Sequence, residues 1–248
     1  MAPDSSIWGR EFSGRPFVFM EAAHLIALAI VLALSVSFWW KPLWRPSRSR
    51  AAFRYGVAAV LLGNEALWYV WHYLTRQGDL QTLLPFHLCS VLVYVGAAAL
   101  ITLDQTLFEF LYYLGIMGAL QALLTPNIGA FGFPHIRFLS TFISHGLIFA
   151  APIYLAVVEG LRPTWTGLWR VFARTNVYMA FVGVVNWLVG GNYLYIAHKP
   201  ETATALDCLG PWPYYIAGME AVGLLLMLAL YAPFARRHQQ AAVEGAEA

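Results

Sequence analysis

The sequence predicts an all-α, polytopic membrane protein, a bundle of seven transmembrane helices. Three observations carry that prediction. Of the 248 residues 60% are hydrophobic and only 11% are charged, with a mean hydropathy of +0.60. A soluble domain holds roughly a quarter charged residues, because its surface must be wet. Apolar residues gather into stretches of about 20, the length that crosses the hydrocarbon core as a helix, and turn-forming residues fall between those stretches. This excludes a disordered chain, a nucleic-acid binder with a basic face and an ordinary soluble enzyme. Two cysteines and seven histidines make neither a disulfide scaffold nor a zinc-finger array.

The first predicted span is 17–40. It begins too far into the chain, and runs too long, for a cleaved signal peptide, and it ends on Trp39 and Trp40 rather than a small-residue cleavage site. The second, 53–74, follows Pro42 and Pro46, and the third, 83–101, follows Gly78. Asp104 precedes the fourth, 107–124, and the segment Pro126 to Pro134 precedes the fifth, 138–158. The sixth, 177–194, follows Pro163 and is interrupted by Asn186 and nearby glycines. The seventh, 211–233, lies after Pro200, with Trp212 and Tyr214 as interface anchors. The expected organisation is an extracytoplasmic N-terminus (1–16), a transmembrane domain (17–233) and a cytoplasmic tail (234–248). Positive charge sets this orientation. Lys41, Arg45, Arg48, Arg50, Arg54, Arg162, Arg170, Arg174, Arg236 and Arg237 fall on one side, against Arg10, Arg15, Arg76, Arg137 and Lys199 on the other. A multi-pass protein of the cell membrane is the expectation.

An ionisable residue within a bilayer costs several kcal/mol unless it is paired or faces a wet cavity, so it marks a site by default. At 1.5 Å per residue, His24, Cys89 and His145 lie about 9–10 Å from the outer ends of their spans. Glu21 and His87 are shallower, at roughly 6 Å, and Glu65 and Glu220 reach ~14 Å, close to the midplane. Asn64, His72, Gln121 and Asn186 share the outer half. Most spans thus contribute polar groups to one leaflet's depth, as a cavity open to the outer face requires.

Helical facing narrows the set. Glu21 and His24 share a face, as do Thr141 and His145. His87 and Cys89 do not, because a two-residue step turns a helix by about 200°. Cys89 therefore needs a base from another helix, and His145 matches its depth. Three chemistries fit. In the first, Cys89 attacks an ester carbonyl while His145 takes the thiol proton and returns it to the leaving alcohol. In the second, a metal site forms from His24, His87, His145 and Glu65 or Glu220, although no metal-ligand spacing motif supports it. The third is a non-enzymatic lipid or small-molecule binding, transport or sensing protein. A Cys89–Cys208 disulfide is a further alternative for the thiol. A retinal protein is excluded, since Lys41 and Lys199 both lie in loops.

Four elements carry a family resemblance: the run Leu84 to Val91 containing Pro85, His87 and Cys89, the turn Thr125-Pro126-Asn127, His145 in the fifth span, and Gly210-Pro211-Trp212-Pro213-Tyr214. In these the chain resembles the YwaF family of bacterial integral membrane proteins, grouped with vertebrate transmembrane protein 164. The resemblance spans roughly residues 17–233. It implies a cysteine-dependent phospholipid acyltransferase, with Cys89 and His145 in the positions of the catalytic pair. The expected activity is lipid transacylation or hydrolysis in an outward-facing cavity, on a membrane phospholipid or other lipid ester. His24, Glu65, His87, Asn127, Asn186 and Glu220 are expected to bind or support. No cofactor, metal or nucleic acid enters this reading.

Overall fold

A computed structural model describes residues 7–10, 12–200 and 205–246, without the side chains of 205 and 236–246. Residues 1–6 and 11 of the expected N-terminal segment lie outside the described residues. So do the side chains of Arg236 and Arg237, and residues 247–248 of the expected tail. All regular structure among the described residues is helical. The helices are α1 (Ala22–Ser37), α2 (Lys41–Trp44), α3 (Ser47–Thr75), α4 (Leu88–Thr102), α5 (Gln105–Phe110), α6 (Ile116–Leu124), α7 (Ile136–Val157), α8 (Trp165–Val189) and α9 (Tyr214–Ala246). Three segments are both long and apolar enough to cross a bilayer: Gln105–Leu124, Ile136–Val157 and Tyr214–Ala235. Helices α1 and α4 are shorter and equally apolar. The chain is a multi-pass membrane protein.

Helical structure overlaps each predicted span, with shifted ends. Helix α1 starts at Ala22 because Met20 adopts a positive φ and Glu21 is extended. The segment Gln105–Leu124 is not one uniform helix, since Leu111–Gly115 forms a π-turn between α5 and α6. The largest shift is in α8. It begins at Trp165, with the Thr164 side chain accepting from the Gly167 amide at 2.9 Å, so Arg170 and Arg174, which precede the predicted sixth span, ride on a helix.

The chain forms two compact units. The first holds residues 1–78 and 88–161 and contains α1 to α7. Its centre is α7, which packs against α1, α3, α4, α6 and the π-turn. Leu61, Leu92, Leu100, Leu111, Tyr113 and Ile148 are fully buried in its core. Close packing of α1 on α7 depends on Gly146: a Cβ there would come within 2.7 Å of Val31 Cγ2. Small residues at helix crossings serve this purpose in membranes, where backbone approach and dispersion replace the hydrophobic effect. At the end of α7, Glu159 gathers Arg50 (3.7 Å), Arg54 (3.5 Å) and the Tyr154 hydroxyl (2.8 Å).

The second unit holds residues 79–87 and 162–248. Its organising side chain is Tyr193, which is fully buried. The Tyr193 hydroxyl donates to the Leu80 carbonyl (2.9 Å) and accepts from the Leu84 amide (2.8 Å), tying the 79–87 segment to the turn after α8. The Tyr178 hydroxyl does the same for Phe86, donating to its carbonyl at 2.9 Å.

Candidate active site

The first unit places Cys89 and His145 together. Cys89 is the second residue of α4, and His145 lies midway along α7. The thiol lies close enough to the imidazole to act on it electrostatically, and both residues are half-buried, so the pair is neither sealed in the core nor fully wet. Cys89 and Cys208 both carry free thiols, so the disulfide alternative is not formed.

The tautomer of His145 follows from its other contact. Nδ1 lies 2.8 Å from the Thr141 carbonyl oxygen, one turn back on α7. A carbonyl only accepts, so Nδ1 carries the proton. The lone pair is thereby left on Nε2, the nitrogen free to meet the thiol. The sequence pairing of Thr141 with His145 is realised through the Thr141 backbone.

Helix α3 supplies the rest. Glu65 is buried, and His145, Ser90 and Tyr69 lie close enough to act on its carboxyl group. One of its oxygens, Oε1, is buried without a hydrogen-bond partner. Its neighbour Asn64 donates from Nδ2 to Ser144 Oγ (2.7 Å) and to the Ser140 carbonyl (3.1 Å). That clasp fixes α3 to the turn of α7 that carries Thr141 and His145. Sequence reasoning missed Ser90, Tyr69, Ser140 and Ser144. Two of them had a signal: Tyr69 lies four residues after Glu65 on one helical face, and Ser90 follows Cys89 directly.

Backbone and ring contacts occupy most of the remaining predicted site residues. In His24 both ring nitrogens are used by backbone: Nε2 donates to the Leu123 carbonyl (2.9 Å), and Nδ1 accepts from the Met20 amide (3.1 Å). The carbonyl belongs to the last turn of α6, where helix geometry leaves acceptors unfilled. His72 donates from Nδ1 to the Trp68 carbonyl (2.9 Å). Asn127 is exposed in the loop after α6. The other three belong to the second unit. The His87 ring packs on Tyr193 and Tyr195 at centroid distances of 5.1 and 5.4 Å. Asn186 exchanges two hydrogen bonds with the Tyr193 backbone, at 2.9 and 2.8 Å, and so closes the turn after α8. Glu220 is half-buried on α9. Among the described residues, no group of three or more His, Cys, Asp or Glu side chains is gathered to hold a metal ion.

Comparison with known proteins adds one relationship. Residues 19–231 match the model of the TMEM164 family. No curated protein matches the chain. No solved structure matches it either.

Proposed function

The chain belongs to the TMEM164 family, and from that premise we propose that it is a membrane-embedded lipid acyltransferase or lipid hydrolase that works through Cys89 and His145. The observation that carries this reading is the Thr141 carbonyl on His145 Nδ1, which leaves the Nε2 lone pair available to act as a base near Cys89. Paired nucleophile and base, the base oriented by a third group, is the arrangement that covalent acyl transfer needs.

In the proposed reaction Nε2 takes the Cys89 thiol proton as Sγ bonds to the ester carbonyl carbon. The ester C–O bond then breaks, and Nε2 returns the proton to the leaving alcohol. The acyl group rests on sulfur as a thioester. An incoming hydroxyl, from a second lipid or from water, loses its proton to Nε2 and attacks the thioester, and the sulfur leaves with that proton. Negative charge developing on sulfur lies at the amino-terminal, positive end of α4. Glu65 offsets the positive charge that His145 acquires in each half-reaction. His24, His87, Asn127, Asn186 and Glu220 take no step in this scheme.

The test is turnover in proteoliposomes containing a labelled phosphatidylcholine with and without a lysophospholipid acceptor. Cys89→Ala abolishes both product formation and labelling by a lipid-like thiol-reactive probe, whereas Cys208→Ala changes neither. His145→Asn lowers turnover by roughly 10²–10⁴-fold, the usual contribution of a positioned acid-base group. Undiminished turnover in Cys89→Ala refutes the covalent mechanism.

A further inference from the structure

A second feature of the first unit lies outside the Cys89–His145 pair. An open cavity of about 910 Å³ runs along α1, the first half of α3 and one face of α7. That size is at the upper end of small-molecule sites, roughly 300–1,000 Å³. Cys89, His145 and Glu65 do not line it. The α7 residues that do, from Phe138 to Leu147, centre about 110° round the helix from His145. The groove and the thiol thus use different faces of the same helix.

The groove has one charged end. It follows α1 from Glu21 to Leu34, which at 1.5 Å per residue is about 20 Å. That is somewhat more than half of a hydrocarbon core about 30 Å thick, the reach of a chain anchored at one interface. Its walls are apolar, and among the α1 residues that line it Ile26 and Ile30 are 59% and 63% exposed. His24 also lines it, with both nitrogens already committed to backbone. The charged lining residues are Arg15 and Glu21, and they form a 2.8 Å ion pair where α1 begins.

We propose that this groove holds one acyl chain of a zwitterionic glycerophospholipid, with the lipid phosphate on Arg15 and its ammonium group on Glu21. An apolar channel one leaflet deep takes a hydrocarbon chain. A pair of opposite charges at its mouth complements a head group that carries both signs. A purely anionic lipid would meet Glu21 as well as Arg15, and a fatty acid brings no cation for Glu21. The site is independent of the proposed chemistry at Cys89 and stands whether or not that residue is a nucleophile.

Gly56 of α3 makes the proposal testable. It lines the groove, and a Cβ built there meets nothing within 4 Å, so a side chain can start from this position into open space at the groove wall. The full-length protein is placed in nanodiscs with phosphatidylcholine, phosphatidylglycerol or free fatty acid, each carrying the same diazirine-bearing acyl chain. Crosslinks are then mapped by peptide mass spectrometry. Leu225 of α9, 65% exposed, reports ordinary bilayer contact. Phosphatidylcholine adducts are expected to concentrate on the groove residues several-fold over Leu225. Gly56→Leu removes that excess and leaves the Leu225 adducts unchanged. Replacing Arg15 and Glu21 together by Gln lowers phosphatidylcholine labelling but not fatty-acid labelling. Should Gly56→Leu fail to fold, Ile30→Trp narrows the groove from α1. Groove labelling no stronger than at Leu225, or indifferent to both fillers, overturns the proposal. Equal labelling by phosphatidylglycerol or fatty acid also overturns it.

Discussion

Asn64→Leu separates the geometry of the site from its chemistry. The side chain is buried and makes two hydrogen bonds from one nitrogen across the α3–α7 contact, to Ser144 Oγ at 2.7 Å and to the Ser140 carbonyl at 3.1 Å. Leucine retains the volume and removes both bonds. Each hydrogen bond contributes about 0.5–1.5 kcal/mol net in folded proteins. Interhelical bonds in membranes lie toward the lower part of that range. The loss leaves no stranded group, because the Ser144 hydroxyl can turn to its own helix and donate to the Ser140 carbonyl. The expected destabilisation is therefore about 1–2 kcal/mol, a factor of roughly 5–30 in the folded-to-unfolded ratio. Reversible unfolding in mixed micelles, read by tryptophan fluorescence, measures it. A cycle with Ser144→Ala isolates the pair, and the coupling expected is about 1 kcal/mol. Loosening the clasp also displaces His145, the residue after Ser144, so alkylation of Cys89 should slow in Asn64→Leu while alkylation of Cys208 is unaffected. A coupling no larger than the ~0.3–0.5 kcal/mol scatter of independent sites, with unchanged Cys89 alkylation, refutes the assignment of Asn64 as the clasp.

Two further outcomes follow from the packing. Gly146→Ala puts a methyl group 2.7 Å from Val31 Cγ2 and should cost about 1–3 kcal/mol as an overpacked contact, most of it recovered by adding Val31→Ala, in the same unfolding assay. Stability should also respond to His135, the residue capping α7, whose Nε2 donates to the Gly9 carbonyl (3.0 Å) and whose Nδ1 accepts from the Arg137 amide (3.1 Å). Burial, with the neighbouring Arg137 cation, holds its pKa below the usual 6.5, against the opposing pull of the Gly9 bond. Above pH 6.5 the ring is neutral folded or unfolded and contributes no pH dependence. Below it the unfolded chain takes up a proton that the folded chain resists, so stability falls with pH by up to about 1.4 kcal/mol per unit until the folded pKa is reached. Unfolding curves between pH 5 and 7 should be less steeply pH-dependent in His135→Gln; an identical slope would show that His135 is not the group responsible.

The helices were legible because apolar runs of the right length leave the chain few options in a bilayer. Their ends were less so. Arg170 and Arg174 resemble loop residues to a hydropathy window, yet Thr164 starts α8 ahead of both. No residue in Leu111–Gly115 signals the π-turn. The groove was invisible in the sequence, since its width depends on how far α1 leans on α7, which Gly146 and Val31 decide only once they meet. The equal depth of Cys89 and His145 could be counted from helix ends, and Cys89 is an electrostatic neighbour of the His145 ring. The same count gave His24 the same depth. A membrane histidine has two ordinary uses, to satisfy backbone groups at helix ends or to face another side chain, and position along a span does not separate them. The ring nitrogens do. His24 and His135 each spend both on backbone atoms, one donating and one accepting, and so are saturated. His145 spends Nδ1 on a carbonyl that dictates its tautomer, which leaves a lone pair on Nε2 in a ring that has Cys89 as an electrostatic neighbour. A depth argument gains discriminating power when it is followed by that accounting, because a saturated imidazole cannot accept a proton without breaking a bond that holds the fold, whereas His145 can.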